Sequence, residues 1–293
     1  MFPFWVKDLS NPRPRLIWEK VKLQYKTLPQ LLIGLILTGG VGLISPPALA
    51  AELQEIVERG YLVVGVKDNL RPLAFKDEEG EIQGFEIDLA RHLAQELLGS
   101  PEALVLQPLS NSERLSAVID GKVDLTIAQL TATVSRSRVV SFSSPYYLDG
   151  TAFLTRRSDV QTFKDLQNQP IAVLIGSDTI ATVRSLLPNA TLVGVASYQA
   201  AKAALDRGQA TVFAADASVL TGWVQEDSRY AIVSDLVTAE PLSVALPRGV
   251  QHDDLRRVIN QAIDRWLSAG DLRQHALNWG LPEAGVPRST TRP

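Results

Sequence analysis

Short apolar runs alternate with longer stretches in which apolar residues recur every third or fourth position. The runs at Leu62–Val66, Leu104–Leu106, Val123–Ala128, Thr151–Leu154, Ile171–Leu174, Leu192–Val195, Ala210–Ala214 and Leu242–Leu246 read as buried strands. The periodic stretches at Phe85–Leu98, Glu113–Ile119, Thr179–Leu187, Tyr198–Leu205, Asp253–Ala269 and Asp271–Trp279 read as helices. Alternation at this spacing implies βαβ units, hence an α/β fold with mainly parallel sheets.

One internal echo suggests two lobes. Val118–Ala128 and Ala204–Ala214 each hold a helix end, a glycine and a buried strand. The glycine suits a left-handed helix C-cap. Any helix–glycine–strand junction has this form, so the echo alone is a weak sign. The residues just past the two strands strengthen it. Gln129, Thr131, Thr133 and Arg136 come after the first, and Asp216 after the second. In open α/β sheets ligands sit at the C-terminal ends of strands. Asp68 and Arg71 stand at another such end, in the polar turn after Leu62–Val66. At Leu174-Ile175-Gly176-Ser177-Asp178-Thr179 a strand turns through glycine into a helix, whose free N–H groups attract anions.

An arginine and a helix start suit a carboxylate, because a guanidinium grips both oxygens. An aspartate facing them suits an ammonium. A ligand with both charges on one carbon, an α-amino acid, satisfies the whole set. Each group also has a plain structural reading. Arg136 reads equally as a surface residue near Arg138, Asp216 as the cap of a helix starting at Ala217, and Ser177 or Asp178 as ordinary N-caps.

Composition limits the rest. The chain has 293 residues, 45% of them hydrophobic, enough for one or two real cores and too apolar for disorder. A formal charge of −3 gives no reason to expect a nucleic-acid partner. There is no cysteine, so disulfides, thiol catalysis and a lipid-anchoring cysteine are all excluded. The first 30 residues are rich in Lys, Arg and Pro. An apolar heart at Leu31–Ile44 comes next, then Ser45-Pro46-Pro47 and Ala48-Leu49-Ala50. This order is that of a secretory signal peptide at residues 1–50, cleaved after Ala50. The competing reading is a membrane anchor. The heart gives about 21 Å of helix against roughly 30 Å of hydrocarbon, which favours cleavage. Removing residues 1–50 leaves 23 positive and 30 negative residues, a formal charge of −7. No His, Cys, Asp or Glu cluster has metal-ligand spacing, and no cofactor is expected. His92, His252 and His275 fall on or beside expected helices, where surface positions are the simplest reading.

Taken together, several segments resemble the family 3 extracellular solute-binding proteins, the amino-acid-binding components of ABC importers. They are Gly65-Val66-Lys67-Asp68 with Pro72, Gly84–Ala90, Gly121–Leu125, Leu130–Arg136, Phe142–Tyr147, Phe163–Leu166 and Val173–Ser177. The resemblance spans about residues 52–280. It implies a two-lobed, periplasmic-binding-protein-like (type II) clamp joined by two crossover strands. Lobe 1 is expected at 51–147 and 243–293, and lobe 2 at 151–239. The crossovers fall near Tyr146–Gly150 and Thr238–Leu242. By the same resemblance Arg136 holds the ligand carboxylate, Thr131 gives a hydroxyl, and Ser177, Asp178 and Thr179 form the second carboxylate site. Asp216 takes the ammonium, and Asp68 touches the ligand side chain. Arg71, Arg114 and Gln129 complete the expected ligand-binding set.

This chain departs from the family at Leu70-Arg71, where an aromatic is usual, and at Gln129 and Asp178, where small residues are common. Glu113 is interposed before Arg114. Arg71 and Arg114 favour an acidic or amide ligand side chain, whereas Asp68, Asp178 and Glu113 favour a basic one, so the choice stays open. The expected function is capture of a polar amino acid in the periplasm by a monomer that delivers it to an ABC transporter permease, with no chemistry. The alternatives are a membrane-tethered amino-acid sensor ectodomain and, with less support, an enzyme resembling the cyclohexadienyl dehydratases.

Overall fold

The computed structural model describes residues 52–234 and 236–288; the expected signal peptide lies outside them. The chain opens with α1 (Leu53–Arg59) and β1 (Leu62–Val66). A small antiparallel sheet of β2 (Asn69–Leu70), β3 (Ala74–Lys76) and β4 (Ile82–Gln83) leads into α2 (Phe85–Leu98). Next come β5 (Leu104–Pro108), α3 (Glu113–Ile119), β6 (Leu125–Ile127) and the long β7 (Ser141–Asp149). The middle of the chain holds β8 (Thr151–Thr155), β9 (Pro170–Leu174), α4 (Thr179–Leu186), β10 (Thr191–Val195), α5 (Tyr198–Asp206), β11 (Val212–Asp216), α6 (Ala217–Glu226) and β12 (Ala231–Ile232). It ends with β13 (Glu240–Leu246), α7 (Asp253–Ala269) and α8 (Asp271–Asn278).

Two five-stranded sheets result. The first runs β5-β1-β6-β13-β7 and the second β10-β9-β11-β8-β12. In each, four strands run in one direction and one, β13 in the first and β8 in the second, runs against them. The sheets are therefore mixed, with most strands sharing one direction, as the sequence pattern suggests. The parallel-paired neighbours are joined through helices, and the alternating pattern reveals them. The antiparallel pairings include that of the two crossovers, β7 with β13, which needs no intervening helix. β7 continues through Gly150 into β8, and β13 returns beside it, pairing Glu240 with Asp149, Pro241 with Leu148 and Leu242 with Tyr147.

The lobes have separate cores. In the first, Phe85, Leu89 and Leu93 of α2 and Ile259, Ile263 and Trp266 of α7 cover Val64, Val66, Leu125 and Ile127. In the second, Phe213, Leu154 and Trp223 pack on one face of the sheet, and Phe153, Ile171, Val173 and Val183 on the other. Each fully buried large apolar side chain contributes about 1.5–3 kcal/mol, so each lobe holds its own shape. The echo between the lobes is structural: Gly121 (φ 68°) and Gly208 (φ 67°) both take the left-handed form after their helices.

The lobes touch. A Cβ at Gly222, on α6 of the second lobe, would overlap the Arg71 carbonyl of the first. Gln225 Nε2 also donates to the Trp279 carbonyl, 2.6 Å away. Of the histidines, His252 is buried (5% exposed), correcting its expected surface position. His92 stacks on Trp266 at 4.4 Å.

Candidate ligand-binding cleft

The first-lobe wall is built at the end of β6. Gln129 has φ 49°, a left-handed form rare for a side chain of its size. Its N–H donates to Glu86 Oε1 at 2.7 Å. Glu86 is fully buried in the first turn of α2 and also accepts from the Tyr146 hydroxyl. Burial pushes this carboxyl up, and the two hydrogen bonds counter that. Arg114 of α3 locks the same turn, its Nη1 donating to the Ala128 (2.8 Å) and Gln129 (2.9 Å) carbonyls. Arg136 opens a short 3-10 turn, and its Nη1 donates to the Thr131 carbonyl at 2.9 Å. Burial, then the neighbouring Arg136, pulls the Arg114 guanidinium down. Thus two like charges stand close together. Among the described residues, neither makes an ion pair with a carboxylate.

The second lobe presents acids. Asp216 ends β11 and occupies the N-cap of α6, yet its side chain does not cap that helix. It accepts from Gln129 Nε2 across the cleft, at 3.2 Å. Burial, then the charges of Asp149, Glu240 and Asp178, pushes Asp216 up to about 7. Asp178 holds the N-cap position of α4, also without capping it. Ser177 Oγ donates to the Leu174 carbonyl at 2.9 Å. The ordinary capping readings of Ser177, Asp178 and Asp216 are therefore not realised.

Arg114, Gln129, Thr131, Arg136, Ser177, Asp178, Thr179 and Asp216 all line one cavity of about 390 Å³ between the lobes. Arg71 lines an adjoining compartment of about 350 Å³. Asn111, Gln129 and Tyr198 border both spaces. Asp68 lines neither; its carboxylate pairs with Lys76 Nζ at 2.9 Å. None of the three histidines reaches either space.

Sequence reasoning missed Lys67, Asp149, Tyr198 and Glu240. Asp149 is buried and accepts from the Gly150 N–H (2.9 Å), the Ser218 N–H (3.1 Å) and the Ser218 hydroxyl. Burial pushes it up; Glu240, opposite it in the ribbon, is pushed up by burial and by Asp149. A signal existed, since each expected crossover carries one acid. Lys67 stands at the end of β1, one position before Asp68, and lines the adjoining compartment.

The family model for bacterial extracellular solute-binding proteins, family 3, matches residues 62–282. The glutamine-binding protein of Geobacillus stearothermophilus is 29% identical over 66% of this chain and 74% of its own length. The ABC transporter glutamine-binding protein of Bacillus subtilis (strain 168) is 26% identical over 78% of this chain and 84% of its own. Among solved structures, an ancestral cationic amino acid solute-binding protein superposes with a TM-score of 0.66 at 27% identity, covering 78% of this chain and 98% of that one. Another structure, an ancestral amino-acid-binding protein described as a precursor of cyclohexadienyl dehydratase, gives 0.61 at 27% identity, covering 78% and 99%. No described helix is long and apolar enough to cross a membrane. Two lobes, two crossovers and a charged cleft between them agree with the family match: the chain belongs to family 3 of the bacterial extracellular solute-binding proteins.

Proposed function

We propose that the protein captures an α-amino acid in the cleft, outside the cytoplasm, and presents it to the permease of an ABC importer. One observation carries this reading. The cavity sets two guanidiniums, Arg114 and Arg136, on one lobe against the carboxylate of Asp216 on the other. A zwitterion neutralises both walls at once, each charge finding an opposite partner away from water. Arg136 and the start of α4 hold the α-carboxylate, with Thr131 beside them, and Asp216 holds the ammonium. Because the groups lie on different lobes, the ligand favours the closed arrangement over an open one, a hinge-type population shift. The leader at residues 1–50 supplies export, and the protein works as a monomer. Its relatives' names, which specify glutamine in two cases, support an amino acid as cargo.

The test is thermal unfolding of the ligand-stripped protein with each common amino acid. A ligand at a hundred times its Kd adds about 2.7 kcal/mol, a shift of roughly 5–10 °C for a chain of this size. One group of amino acids is expected to give that shift and to be recovered unchanged. No shift with any amino acid, or conversion of the ligand, overturns the reading.

A further inference from the structure

We infer that the compartment beside the zwitterion cavity is built for an anion, so that the captured ligand is an α-amino dicarboxylic acid. This rests on the capture reading above and names its cargo. The sequence alone shows charges of both signs near the site, and the structure sorts them. Asp68 lines neither space and is paired with Lys76. Glu113 folds back on the start of its own helix and accepts from the Ser110 N–H at 2.9 Å. Asp178 lines the zwitterion cavity instead. The acid left in the second compartment is Glu226, and Lys202 Nζ holds it at 3.0 Å.

Two cations remain in that compartment. Lys67 is only 7% exposed, and its Nζ has one hydrogen bond, to the Leu109 carbonyl at 3.3 Å. It forms no ion pair with a carboxylate among the described residues. Burial, then the charge of Arg114, pulls its ammonium down, as expected of a cation short of a partner. Glu86 and Asp68 oppose that shift without reversing it. Glu86 already accepts from Tyr146 and Gln129. The Arg71 guanidinium lies 3.7 Å from the centre of the Phe75 ring and likewise has no carboxylate partner among the described residues.

The passage from the zwitterion cavity runs past Asn111, whose amide can donate to oxygen, Gln129, whose Nε2 already donates to Asp216 and Ser218, and Tyr198. A ligand with its α-carbon at Asp216 and Arg136 sends its side chain through this passage toward Lys67. A second carboxylate there pairs with the buried ammonium. A primary amide offers an acceptor without charge, and a basic side chain adds a cation to two unpaired ones.

Calorimetric titration of the ligand-stripped protein with L-glutamate, L-aspartate, L-glutamine, L-asparagine and L-arginine decides the matter. At least one acidic amino acid is expected to bind ten or more times tighter than its own amide, with arginine weaker than either. Lys67→Gln and, separately, Arg71→Gln are each expected to reduce that ratio at least threefold while the amide still binds. The retained amide binding shows that the variants fold. Tightest binding of an amide or of arginine overturns the anion assignment and leaves amino-acid capture standing. A ratio unmoved by both variants also overturns it. Failure of every amino acid to bind overturns the capture reading itself.

Discussion

The two lobes end their central strands in the same way and arm them with opposite charge. In the first, β6 runs into Gln129, and Arg114 and Arg136 are tethered to backbone carbonyls. In the second, β11 ends in Asp216, whose carboxylate has no backbone donor among the described residues and leans on Gln129 from the other lobe. The guanidiniums are thus preorganised by their own lobe. The carboxylate is held in a costly place, crowded by Asp149, Glu240 and Asp178. On the proposed reading, one lobe offers a built seat, and the other keeps a carboxylate with no cationic partner among the described residues for the ligand to meet. Lobes of like topology can share a ligand unequally, the rigid one fixing its orientation and the strained one supplying much of the drive to close.

This contrast can be broken from either side. Removing the seat has the largest expected effect. Arg136→Ala leaves the ligand carboxylate facing Arg114 alone, and affinity in calorimetry should fall about a hundredfold or more. Near-normal affinity would end the assignment of Arg136.

Asp216→Asn tests the strained side, with a smaller effect and a pH signature. The folded pKa near 7 lies above the ordinary 3.8. Between those values the folded, ligand-free protein keeps a proton that the unfolded chain has lost, so its stability falls as pH rises from about 4 to about 7. If Asp216 holds the ligand ammonium as proposed, binding requires its ionised form, and affinity should rise as pH passes upward through about 7. At pH 8, Asp216→Asn is expected to weaken binding about tenfold yet raise the ligand-free melting temperature by about 4 °C. Both differences should shrink toward pH 5. A variant that loses affinity equally at both pH values would contradict this account of Asp216.

The smallest expected effect sharpens the contrast by touching closure alone. Alanine at Gly222 favours the α6 helix by about 1 kcal/mol but collides with the Arg71 carbonyl when the lobes meet. Gly222→Ala should therefore weaken ligand binding a few-fold while the ligand-free protein melts no lower. A fall in both would show Gly222 to be needed within its own lobe.

Much of this arrangement can be read from the sequence. The helices Phe85–Leu98, Glu113–Ile119 and Asp253–Ala269 stand where the apolar period places them. Charged residues placed after buried strands fall into the cleft because the topology brings strand ends together. The features that escape the sequence depend on partners far along the chain. Asp149 is recognisable as buried only once Ser218, 69 residues later, donates to it. β7 contains Ser, Pro and Tyr in place of a clean apolar run, so its pairing with β13 has no local signature. Just past β1 one side chain lines the second compartment and the next pairs with Lys76. Lys67 and Asp68 therefore differ by one position and by an entire environment, and sequence alone offers nothing that chooses between them.

The crossover ribbon has one more consequence, for the order in which the molecule is completed. Every strand of the second sheet comes from residues 151–232, so that sheet can close as soon as this stretch exists. The first sheet begins earlier in the chain and finishes later. β7 has β13 as its sole neighbour in that sheet, and β13 comes after the whole second lobe. Until β13 is available β7 is an unpaired edge, the kind of surface that recruits other chains. Long loop closure slows such pairings. The lobe that starts first is therefore the last to be finished, and its open edge at β7 is where crowding during biogenesis would do most harm.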